Sequence, residues 1–93
     1  MMIENVCREL ELLLSDIVFG GLRNVQPVTL CKLEELKQWM KELNMTEGIS
    51  RIDRLVHSFH QYRLGAITME QLASECCALE FYEKHILANI LRK

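Results

Sequence analysis

Two glutamates three residues apart, Glu80 and Glu83, fall inside a run of Leu72, Cys76, Leu79, Ile86 and Leu87 that recurs at helical spacing. Carboxylates paired in this way inside a helical bundle are half of what a di-metal carboxylate site uses. The other half, a Glu-x-x-His element on each of two helices, is missing. His57 and His60 are also three apart, but a hairpin centred near Ala66 sets them opposite residues 72–76, more than a turn from Glu80. A metal site is therefore disfavoured, and no cofactor is expected. The ordinary expectation is that both glutamates reach solvent or pair with a base such as Arg51 or Arg54. The sharper one is that they act as specificity carboxylates, choosing a partner or register from within an apolar seam.

Nucleophiles and bases offer no constellation for catalysis. Cys7, Cys31, Cys76 and Cys77 form no C-x-x-C pair, and adjacent Cys76 and Cys77 point about 100° apart on a helix, so they cannot jointly hold one ion there. They read as reduced, mostly packing residues, with no base placed to activate either thiol of the pair. His85 reads as a lone surface histidine, and Trp39 as packing or rim. No phosphate-binding glycine loop, G-x-S-x-G or H-E-x-x-H occurs. No acid, base or nucleophile has a companion to tune it, so the chain is not expected to be an enzyme and no catalytic residue is assigned.

The elements that would position these residues are four helices. Ile3, Val6, Cys7, Leu10, Leu13, Leu14, Ile17 and Val18 form an amphipathic stripe over residues 2–19 that stops at Gly20-Gly21. Pro27 marks the one real loop, Thr29 is placed to cap a second helix over 29–43, and Val28 with Leu33 would staple it. Asn44 suits the left-handed exit, Thr46 suits the next cap, and the third helix runs over 46–64, weakened slightly by Gly48. The segment Leu64–Leu72 is the densest local signal. Gly65 can end a helix, Thr68 and Gln71 form a capping box, and Ile67 with Leu72 makes a hydrophobic staple before a fourth helix over 68–92. No stretch alternates with period two. The fold expected is all-α, a single-domain antiparallel four-helix bundle spanning residues 1–93.

Composition agrees and narrows the partners. A chain of 93 residues, 49% of them hydrophobic, can bury a core without metal or disulfide, while 11 basic against 13 acidic residues give no field to gather polyanions. Nucleic acid is thus disfavoured. The DNA-binding alternative would use a basic face of the third helix, where Arg51, Arg54 and Gln61 lie together beside Arg63, but Glu47 and Asp53 accompany them. The apolar runs are too short to span a membrane and no secretion signal is present, so a cytoplasmic protein is expected.

Some apolar side chains are left over after one core is filled. Leu12 and Phe19 lie opposite the main stripe of the first helix, Phe81 and Tyr82 at or beyond the edge of the fourth, and Ile90 and Leu91 in last turns that outrun the second helix. Together they suggest a protein–protein surface. The expectation is a small helical interaction or adaptor module, homodimeric through the first helix and the end of the fourth.

Overall fold

The computed structural model describes residues 2–22 and 25–91, Leu91 by its backbone alone. Four helices account for most of these residues: α1 (Ile3–Gly20), α2 (Pro27–Glu42), α3 (Thr46–Arg63) and α4 (Met69–Leu91), with no strand among the described residues. Each helix packs on its neighbours in the chain, and α1 closes the ring by packing on α4. The stripes meet in one contiguous core, in which Val6, Leu10, Leu33, Met40, Ile52, Leu55, Leu72 and Leu79 are wholly buried. Each such side chain contributes about 1.5–3 kcal/mol of hydrophobic stabilisation, so the core outweighs any surface ion pair.

The turns follow the local chemistry closely at two of three junctions. Asn44 takes φ 59° and Gly65 φ 77°. Beyond each, the chain bonds back in the pattern of a Schellman motif: the Met45 N–H donates to Met40 O at 2.8 Å and the Ala66 N–H to Gln61 O at 2.9 Å. Thr68 and Gln71 form the capping box, the Gln71 N–H donating to Thr68 Oγ1 at 3.2 Å and the Thr68 N–H to Gln71 Oε1 at 2.9 Å. Ile67 packs on the core beside Leu72 as the staple requires.

Two caps differ from the sequence reading. Helix α2 starts at Pro27, not after Thr29: Gln26, held extended at ψ 153°, is the N-cap, and Thr29 and Leu30 donate their N–H groups to its carbonyl. Proline is favoured in the first turn because its ring presets φ and the missing N–H would have no helical partner. Val28 is exposed and staples nothing. In α3, Thr46 is already helical and Met45 is the N-cap without a side-chain bond, because Met45 is tied to the end of α2 and leaves no spare residue for a separate cap.

The largest difference concerns Tyr82. It lies not at a free surface but 93% buried, its ring against Gly48 in the first turn of α3. A Cβ on Gly48 would stand 2.9 Å from Met40 Sδ and 3.0 Å from both Tyr82 Cε2 and its hydroxyl, so the glycine that weakens α3 locally is what lets α4 approach it. Burial raises the Tyr82 phenol above its ordinary pKa, as do Cys7 and Glu47, against the lowering effect of the Gly48 N–H and Arg51. Helix propensity alone would make Gly48→Ala stabilising by about 1 kcal/mol. We expect the opposite sign, a loss of about 1 kcal/mol in chemical denaturation, because the overpacking cost of about 1–3 kcal/mol exceeds that gain.

Candidate functional site

Helix α1 carries an exposed crest with a cleft on each side. Phe19 is 90% exposed and Leu12 61%, seven residues apart and hence nearly in line along the helix. One cleft, of about 300 Å³, runs between α1 and α2 and is lined by Glu9, Leu12, Leu13, Asp16, Lys32, Glu35, Leu36 and the half-buried Trp39. The other, of about 320 Å³, lies between α1 and α4 and is lined by Glu11, Leu14, Ser15, Val18, Phe19, Glu80, Glu83 and Lys84.

The α1/α4 cleft is where the two glutamates of the sequence reading part company. Glu80 is half-buried and pairs with Lys84, Oε1 to Nζ at 3.2 Å across one turn of α4. Glu83 is fully buried, and neither of its carboxyl oxygens finds a donor among the described residues. Neither glutamate pairs with Arg51 or Arg54. Arg51, half-buried, bonds Glu47 at 3.1 Å along α3 instead. Glu83 stands between Leu79 and Leu87 on the buried stripe of α4, and the group within hydrogen-bonding reach is the carboxyl of Glu11 on α1. Two carboxylates cannot bond each other without a proton. Burial first, then Glu11 and Glu80, push the Glu83 carboxyl up to about 7, with Lys84 acting in the other direction.

Glu11 is the partner that the sequence reading missed. The helical wheel that isolates Glu80 and Glu83 on α4 also sets Glu11 between Cys7, Leu14 and Val18 on α1, so the signal was present. It took the packing of α1 on α4 to bring the two interrupted stripes face to face.

The remaining candidates do not converge on this site. His57 and His60 are exposed on α3, and among the described residues no group of three histidine, cysteine or acidic side chains is placed to hold a metal ion. Cys7 and Cys76 are buried, and desolvation raises each thiol to about 11, which keeps it protonated and unreactive. Cys77, expected to pack, is exposed on the far side of α4, as is Cys31 on α2. Phe81 is 76% exposed, Ile90 is half-buried, and the Leu91 side chain lies outside the described residues. The overhang expected at the end of α4 is partly covered, since Leu87 belongs to the core and Ile86 packs against it. Tyr82, being buried, drops out of the surface set.

The basic face of α3 is engaged in part, with Arg54 exposed and outside the ion pairs of the described residues. Arg51 pairs with Glu47, Asp53 with Lys37 of α2, and Arg63 donates to the Val25 carbonyl at 2.9 Å. No described helix is long and apolar enough to cross a membrane. Comparison of the chain with protein-family models, with curated proteins and with solved structures finds no match.

Proposed function

We propose that this protein is a small helical interaction module that pairs with a second copy of itself through the crest of α1. The observation that carries this reading is the exposure of Phe19 and Leu12 on one crest with a cleft on either side. Such a surface is self-complementary. When two α1 helices lie against each other in opposite directions, Phe19 of each copy faces Leu12 of the other, beside the groove that runs to Trp39, and the same patch serves both partners. Isolated exposed apolar residues are ordinary, but a pair seven apart on one helix with neighbouring grooves has the arrangement of a helix–helix seam. The free thiols suit a reducing compartment such as the cytoplasm.

The test is the solution mass by light scattering across a hundredfold concentration range. The wild-type chain is expected to be dimeric, and Leu12→Glu combined with Phe19→Glu to be monomeric with unchanged helicity. A wild-type monomer at the highest concentration would overturn the reading. Loss of helicity in the double variant would place these residues in the core and overturn it too.

A further inference from the structure

We propose that the cleft between α1 and α4 receives the cationic side chain of a partner protein, a lysine or arginine whose head group enters between Glu11 and Glu80 and, as the exposed Glu11 side chain gives way, meets the buried carboxylate of Glu83. This goes beyond self-association and does not depend on it. Three carboxylates, Glu11, Glu80 and Glu83, line the cleft against a single base, Lys84, whose ammonium is already held by Glu80 at 3.2 Å. A carboxylate buried this completely needs a counter-charge or a full set of donors, and Glu83 has neither among the described residues. The three acidic groups are not arranged as a compact metal site, which favours an organic cation over a bare ion.

The walls say what stem the cation should carry. Leu14 and Val18 give the cleft an apolar side suited to a chain of methylenes. A volume of about 320 Å³ accommodates one such side chain. Glu83 stands beside Glu11, and burial keeps its carboxyl protonated up to about pH 7. Arrival of the cation releases that proton to solvent and replaces it with a fixed charge. The titratable and charged groups that act on Glu83 are Cys7 and Glu11 from α1 and Glu80 and Lys84 from α4, so among the described residues no base other than Lys84 competes for the position.

The experiment is an NMR titration of the whole labelled chain with N-acetyl-lysine methylamide, and with N-acetyl-norleucine methylamide as its uncharged counterpart. The lysine probe is expected to produce saturable shifts at the carboxyl carbons of Glu83 and Glu80 and at the amides of Ser15 and Phe19. Half-saturation should be on the order of millimolar for so small a ligand, and tighter at pH 8 than at pH 6. Glu83→Gln, which keeps shape and removes charge, should weaken binding about tenfold or more, equivalent to about 1.4 kcal/mol. Glu80→Gln, at a half-exposed position that tolerates change, should weaken it severalfold. Equal response to both probes, no saturable shift, or unchanged affinity in folded Glu83→Gln would each overturn the proposal. None of these outcomes bears on the dimer, which is read by mass.

Discussion

Replacing Glu83 by glutamine is expected to stabilise the protein by about 3 kcal/mol at alkaline pH and to leave its stability nearly unchanged near pH 4. The folded chain holds the Glu83 proton up to about pH 7, whereas the unfolded chain releases it near 4.5. Between these values the native state binds more protons than the unfolded one, so stability falls as pH rises, and the loss is complete above about pH 7. A carboxyl with a raised pKa therefore stabilises the fold only in its neutral form. Glutamine cannot ionise, and its amide can donate to Glu11 at alkaline pH, where the ionised glutamate cannot. The measurement is urea denaturation of both proteins across that pH range, taken as a difference so that every other titrating group cancels. Parallel stability curves would mean that Glu83 is solvated or already paired in solution, and the account of the α1/α4 cleft would fall with it.

Of the neighbouring pair Phe81 and Tyr82, only Tyr82 should respond strongly to truncation. Tyr82→Ala is expected to cost about 3–5 kcal/mol, the range for removing a buried aromatic side chain, because it empties the space between α4, Gly48 and Met40. Phe81→Ala should stay within about 0.5 kcal/mol, since its ring is 76% exposed. Thermal unfolding of the two variants beside the wild type separates the cases. A small effect at Tyr82 would show that α3 and α4 do not close over it. The two side chains differ by one residue and about 100° of helix rotation, which is the whole distance between surface and core here.

Most of the architecture was legible because it is set by short-range physics. The left-handed exits at Asn44 and Gly65, the Thr68–Gln71 box and the apolar period of each helix are properties of a few consecutive residues, and each appears where the sequence places it. The caps of α2 and α3 differ from the sequence expectation where two local rules compete. Pro27 satisfies the rule for a loop and the rule for a first helical turn, and Thr46 suits a cap that Met45, committed to the turn before it, already fills.

The candidate site was legible only in halves. Glu80 and Glu83 interrupt an apolar stripe, and that is visible on a wheel. That one of them pairs with Lys84 and the other is buried beside Glu11 depends on which face of α1 meets α4. Likewise Gly48 reads from sequence as a weak point in α3, and only the close approach of Tyr82 turns it into a requirement. By itself, the sequence determined where helices start, stop and turn their apolar sides, since hydrogen bonds and hydrophobic period act within a few residues. The tertiary structure alone decided which polar groups lose their water, because desolvation depends on what the rest of the chain lays over them.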